Sequence, residues 1–137
     1  MRVLITGGAG FIGQRLIADL LARGIALAPA PVRAVERVLC LDQAPGELRD
    51  PRLDYVAADI AQDTVFERLF KTPFDLVLHL AAVVSGTAEA DFELGMRVNL
   101  DGTRRLLDAC RVAGDRPRLL FSSSVAVFGG ELPGGGR

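Results

Sequence analysis

Apolar positions fall into two rhythms along this chain. Short, nearly unbroken apolar runs recur at Arg2–Thr6, Arg37–Leu41, Leu53–Ala58, Asp75–Leu80 and Arg118–Ser122. Runs of this length, apolar at successive positions, predict strands of a parallel sheet covered on both faces. Between them the apolar positions take helical spacing. Ile12, Leu16 and Leu20, with Ile17 and Leu21, predict a helix reaching Arg23 from Gln14, stopped by Gly24. Thr64–Phe70 predicts a short helix. Asp91–Ala113 predicts a long one, with Met96, Leu100, Thr103, Leu107 and Cys110 as its buried stripe. Residues 25–35 hold Pro29 and Pro31 and are expected to form no regular element. Residues 44–52 read as a polar turn and 83–90 as a loop.

This order of elements demands a doubly wound parallel sheet. The expected fold is α/β and Rossmann-like, with strand order 3-2-1-4-5. Residues 1–128 form the domain. The Gly- and Pro-rich tail 129–137 is expected to be unordered. Ligands meet such sheets at the carboxyl ends of the strands, near the switch point between the first and fourth. The polar features of this chain gather at those ends: Gly7–Gly13, Asp42, Asp59, Ala81-Ala82 and Ser122–Ser124.

The stretch from Thr6 to Gly13 reads TGGAGFIG and lies between a predicted strand and a predicted helix. Such a turn can cradle a pyrophosphate on the free N–H groups of the helix start. One glycine accepts the angles of the tight turn. A second keeps side chains away from the phosphates, and a third lets helix and strand pack closely. Gly8, Gly10 and Gly13 fit one spacing of this motif; Gly7, Gly10 and Gly13 fit another. Asp42 closes the second strand, where a carboxylate can accept both hydroxyls of an adenosine ribose. It stands 29 residues beyond Gly13, against a usual offset of about 20, and the proline-bearing linker accounts for the excess. Glu36 lies nearer but opens its strand, at the wrong edge of the sheet. Gln43 follows Asp42 with no adjacent Arg for a 2′-phosphate, which favours NAD over NADP.

Composition narrows the chemistry. The 137 residues carry a net charge of −1 and are 50% hydrophobic, so the chain can bury a core but offers no basic field for nucleic acid. Cys40 and Cys110 sit in apolar stretches and read as buried free thiols. No stretch is long and uncharged enough for a membrane span, and the start lacks signal-peptide anatomy, so a cytoplasmic setting is expected. The one His, His79, lies inside an apolar strand and reads as a core histidine. One His and two separated Cys make no metal site, and no nucleophile-elbow sequence signals a Ser-His-Asp triad.

TGGAGFIG, Asp42, Asp59-Ile60, HLAA at His79–Ala82, VNLDGT at Val98–Thr103 and FSSSVAVFG at Phe121–Gly129 together resemble the N-terminal part of an extended short-chain dehydrogenase/reductase. This is the NAD-dependent epimerase/dehydratase family. Two stretches, HLAAVVSGTAEADFELGMRVNLDGTR and SSVAVFGGELP, resemble more narrowly a branch that oxidises the 2-hydroxyl of a four-carbon sugar acid to the 2-oxo acid. The resemblance implies that Gly7, Gly10, Phe11, Ile12 and Gly13 cradle the pyrophosphate of NAD. It places the ribose on Asp42 and adenine beside Asp59 and Ile60. Leu80, Ala81 and Ala82 then line the cofactor cleft, Asn99 braces the nicotinamide side, and Ser124 binds the reacting hydroxyl of a small sugar-acid substrate. Ser85, from its loop position, is a further candidate for substrate contact.

One departure is large. The family's base is a Tyr in a Tyr-x-x-x-Lys pair beyond the serine segment. Here the single Tyr is Tyr55, in the third strand, and the single Lys is Lys71, so they cannot form that pair. The last strands and the substrate-binding portion are missing as well. The chain reads as a truncated or frameshifted copy, or a cut piece, expected to be inactive alone. Two other readings stay open: a fragment of a nucleotide-sugar epimerase or dehydratase, and a dinucleotide-binding module without chemistry. A complete homologue is expected to dimerise through the long helix.

Overall fold

The computed structural model describes residues 1–114 and 116–128, and the side chains of all of these but 85, 126 and 128. The expected tail, 129–137, lies outside the described residues. Among the described residues seven strands run β1 Arg2–Thr6, β2 Ile25–Ala26, β3 Val32–Arg33, β4 Arg37–Asp42, β5 Leu53–Ala57, β6 Leu76–His79 and β7 Arg118–Phe121. The helices are α1 Phe11–Arg23, α2 Val65–Leu69, α3 Ser85–Ala90, α4 Phe92–Gly95 and α5 Thr103–Val112, with a π-helical stretch Met96–Gly102 joining α4 to α5. A 3₁₀ turn, Val125–Phe128, follows β7.

Five strands form one parallel sheet in the order β5-β4-β1-β6-β7. Counting only these strands, that is the expected 3-2-1-4-5 order. Leu4 of β1 pairs with Leu39 on one side and Val77 on the other. Successive side chains point to opposite faces, so each central strand feeds two cores. Val3, Ile5, Val38, Cys40, Leu76 and Leu78 pack against Ile17, Leu20 and Leu21 of α1. Leu4, Leu41 and Val77 pack against Val65 and Phe66 of α2, Val98 and Leu106. Both faces are therefore covered, which is why the runs read as continuously apolar. Cys40 belongs to the first core and Cys110 packs against the second, both as free thiols.

Four expectations are corrected. Helix α1 begins at Phe11, with Gly10 at its N-cap position and no side-chain cap, and its Ile12 is 70% exposed. Residues 25–35 do form a regular element, the small antiparallel ribbon β2-β3; its two-residue strands pair through backbone and tolerate Pro29 and Pro31 in the connection. Residues 85–90 are helical rather than loop. The long helix turns a different face inward. Met96, Leu100 and Leu107 are exposed, whereas Val98, Gly102 and Leu106 are buried. Close approach decides this: a Cβ on Gly102 would lie 2.8 Å from Ile60 Cγ1, and one on Gly95 would lie 2.9 Å from Ala88 Cβ. The glycine face sits where only backbone fits, and the apolar stripe Phe92, Met96, Leu100 is turned outward.

Candidate functional site: a cleft at the carboxyl ends of the strands

The carboxyl ends of β1, β4 and β6 open on a cleft of about 810 Å³, within the size range of small-molecule sites. Gly7, Gly10, Asp42, Asp59, Ile60, Leu80, Ala81 and Ala82 all line it, so eight of the expected cofactor residues meet in one place. No basic side chain is among the described lining residues.

The glycine turn is held by contacts that name each glycine's work. Gly7 has φ +73°, and a Cβ there would sit 2.6 Å from the Ala81 nitrogen. Gly7 is therefore the turn glycine, fixed against the end of β6. Gly13 packs on Gly8, where a Cβ would come within 2.4 Å of the Gly8 Cα. Gly10 differs. A Cβ there would meet only the Gly7 carbonyl, at 3.5 Å, so the protein's own packing does not require a glycine. Gly10 is instead the position open to the cleft. As N-cap of α1 it provides no side-chain bond to the helix start, and the first turn holds no acidic residue. The leading N–H groups of α1, those of Phe11 and Ile12 among them, lack intrahelical acceptors. The Phe11 and Ile12 side chains point to solvent. A pyrophosphate fits this end: it needs backbone donors, the positive end of a helix and room where a side chain would stand.

Asp42 closes β4 beside the turn. Its Oδ2 accepts the Ala9 N–H at 2.9 Å and its Oδ1 accepts the Gln43 N–H at 2.7 Å. Asp59 accepts the Ala61 N–H at 2.9 Å and a 2.6 Å bond from Arg97 Nη1. Burial pushes the Asp59 carboxyl up, but these donors and the Arg97 charge outweigh it and hold the group below the usual carboxylate range. Asp42 and Asp59 thus stand as the two anionic groups of the cleft, next to apolar Ile60 and Ala81.

His79 is a core histidine, as its place in the strand implied. It is 1% exposed, and both ring nitrogens are bonded, Nδ1 to Thr6 Oγ1 at 2.5 Å and Nε2 to Thr103 Oγ1 at 2.9 Å. Thr6 Oγ1 also accepts the Ala81 N–H at 3.4 Å, and a neutral ring, with one nitrogen donating and the other accepting, satisfies both threonine hydroxyls. Burial lowers the His79 pKa, in keeping with this neutral form.

Asn99, Ser85 and Ser124 are not among the described lining residues of the cleft. Asn99, in the π-helical stretch, spends its amide on the Val83 backbone: Oδ1 accepts the Val83 N–H at 2.8 Å and Nδ2 donates to the Val83 carbonyl at 2.9 Å. It braces the cleft wall through Val83 rather than facing the cavity. Ser122 caps β7, its Oγ donating to the His79 carbonyl at 3.1 Å. Ser124 is exposed just before the 3₁₀ turn. Ser85 opens α3; its side chain lies outside the described residues. Sequence reasoning missed Ala44 and Pro45, which line the cleft beyond Asp42 and Gln43. Their proximity to Asp42 was the only available signal.

Fold and cleft together define a Rossmann-like α/β protein. The profile of the NAD dependent epimerase/dehydratase family matches residues 3–135, and the chain belongs to that family. It is 52% identical over 134 residues to D-erythronate dehydrogenase of Cupriavidus necator, covering 97% of this chain and 41% of the relative. It is 39% identical to D-erythronate dehydrogenase of Haemophilus influenzae, again over 97% and 41%. Among solved structures, the nucleoside-diphosphate-sugar epimerase from Agrobacterium tumefaciens matches with TM-score 0.86 and 40% identity, over 97% of this chain and 40% of that one. The Thermus thermophilus UDP-glucose 4-epimerase in complex with NAD matches with TM-score 0.76 and 37% identity, over 100% and 42%. The chain thus spans about two fifths of the length of these relatives. Among the described residues no helix is long and apolar enough to cross a membrane.

Proposed function

We propose that these residues are the NAD-binding portion of an oxidoreductase that removes hydrogen from the 2-hydroxyl carbon of a small sugar acid such as D-erythronate. One observation carries the cofactor reading. The uncapped start of α1, the open Gly10 and the Asp42 carboxylate face one cleft. NAD supplies a hydride acceptor when bound. The leading N–H groups of α1 bind its pyrophosphate, Asp42 the adenosine ribose, and Asp59 with Ile60 flank adenine. Asn99 fixes Val83 and so orients the wall on the nicotinamide side. Ser124 hydrogen-bonds the reacting hydroxyl. With Asp42 at the ribose and no basic lining residue, NAD is preferred over NADP. The D-erythronate reading follows from the 52% relative. The exposed stripe Phe92, Met96, Leu100 is the face through which a complete homologue dimerises in this reading. A second reading, a nucleotide-sugar epimerase, is favoured by the TM-score of 0.86 to a protein so named.

Calorimetric titration of the chain with NAD and NADP tests the cofactor. Equal or tighter NADP binding would sink that part. A chimera completed with the C-terminal portion of a close relative tests the substrate: NADH formation with D-erythronate supports the dehydrogenase, and conversion of UDP-glucose without net NADH supports the epimerase.

A further inference from the structure

We propose that Gln14 is a positioning residue that locks the adenosine-side wall of the cleft, residues 42–48, to the phosphate turn. Gln14 lies on the first turn of α1, and its amide is used at both ends. Nε2 donates to the Ala9 carbonyl at 3.3 Å, and Oε1 accepts the Leu48 N–H at 3.2 Å. The same Ala9 gives its N–H to Asp42 Oδ2. One residue of the phosphate turn, Ala9, is therefore gripped from both sides, by Asp42 on its N–H and by Gln14 on its carbonyl. The segment between these grips carries Gln43, Ala44 and Pro45, which line the cleft.

Residues 43–48 of the wall form no regular element. Asp42, the last residue of β4, and Gln14 bond the wall to the turn, and Leu48 also packs against the first core. Gly46 makes room for the amide: a Cβ there would lie 1.6 Å from Gln14 Nε2 and 2.7 Å from Tyr55 Oη. Arg49 steadies the far side, donating to the Gly46 carbonyl at 2.6 Å and lying 5.8 Å from the centre of the Tyr55 ring. A side chain that both donates and accepts, at this length, is what the geometry requires. Glu keeps the acceptor for Leu48 but loses the donor and sets a carboxylate against the Ala9 carbonyl. Leu loses both.

The inference rests on the nucleotide reading of the cleft. The test titrates the unaltered chain, Gln14→Glu and Gln14→Leu with NAD and with ADP-ribose, and follows amide hydrogen exchange at Leu48. Expected are a loss of affinity of about tenfold for Gln14→Leu and a smaller one for Gln14→Glu. The losses should be equal for both ligands, because they arise on the adenosine half. Leu48 exchange should quicken in Gln14→Leu and stay slow in Gln14→Glu. A merely structural defect would lower the fraction of chains that bind and leave the Kd of the rest unchanged; that result overturns the proposal. If the unaltered chain binds and both variants bind equally well, this inference fails alone. If the unaltered chain binds neither ligand, the nucleotide reading fails and takes the inference with it.

Discussion

Asp42 and Glu36 are both carboxylates on β4 or at its edge, and strand polarity alone separates their roles. Asp42 ends the strand at the cleft, while Glu36 precedes it and pairs with the Met1 ammonium at 2.8 Å. Asp42→Ala removes charge-assisted bonds worth roughly 1.5–3 kcal/mol each, and frees the Ala9 N–H besides. NAD affinity measured by calorimetry should fall about tenfold or more, whereas Glu36→Ala should leave it unchanged. His79 makes a different prediction. Its pKa is lowered from 6.5 by burial, so the unfolded chain binds a proton more readily than the folded one. Its contribution to stability is present above pH 6.5 and is lost as pH falls through the folded value. The thermal midpoint should decline on acidification below pH 6.5. Asp59, lowered from 3.8, adds its own loss only at more acidic pH. His79→Asn should lower stability overall and flatten the decline between pH 6.5 and 5; a decline of unchanged slope in that variant would assign it to another group.

At the scale of elements, the glycine turn separates packing from binding. Gly13→Ala forces a Cβ into the Gly8 backbone and should cost about 1–3 kcal/mol of folding stability. Gly10→Ala has extended backbone, φ −71° and ψ 171°, and open space, so denaturant melts should move by less than about 1 kcal/mol. NAD binding should nonetheless be lost or weakened at least about tenfold, because the methyl would stand in the place proposed for the pyrophosphate. Parallel strands were legible because unbroken apolar runs have one common cause, burial on both faces. Asp42 was legible because a strand end is visible as the last residue of its run. The face of the long helix was not: Val98 and Leu106 bury in place of Leu100 and Leu107 because Gly95 and Gly102 permit a closer approach than any apolar stripe. Gln14 was equally hidden. A polar residue on a first helical turn looks the same whether it faces water or grips two loops, and only the fold brings Ala9 and Leu48 to its two ends.

At the scale of the whole molecule, the question is whether these 137 residues can move a proton as well as hold a cofactor. Oxidation of a secondary hydroxyl needs a base for its proton at the moment hydride leaves carbon. The two cleft carboxylates are engaged, Asp42 by the Ala9 and Gln43 N–H groups and Asp59 by the Ala61 N–H and Arg97, and the other candidates among the described residues are placed or tuned away from that task. Tyr55 faces the 46–49 segment rather than the cleft; its Oη is buried beside Gln14 without a partner of good geometry, and burial raises its pKa further. Lys71, just beyond α2, lines a separate groove between α2 and α5 and cannot assist a phenol in β5. Cys40 lies beneath Gly8, with its thiol pushed up to about 12 by burial and by the charge of Asp42. His79 is enclosed between two threonine hydroxyls. Ser124 can donate or accept a hydrogen bond to a substrate hydroxyl, but an alcohol does not take its proton near neutrality. The polypeptide of these 137 residues, assayed by NADH absorbance with D-erythronate, should therefore show no turnover even at saturating NAD. The chimera carrying a relative's Tyr-x-x-x-Lys segment should turn over, and should lose most of its kcat on Ser124→Ala. Turnover by the short polypeptide itself, abolished by Ser124→Ala, would overturn this reading and assign the proton to one of these groups.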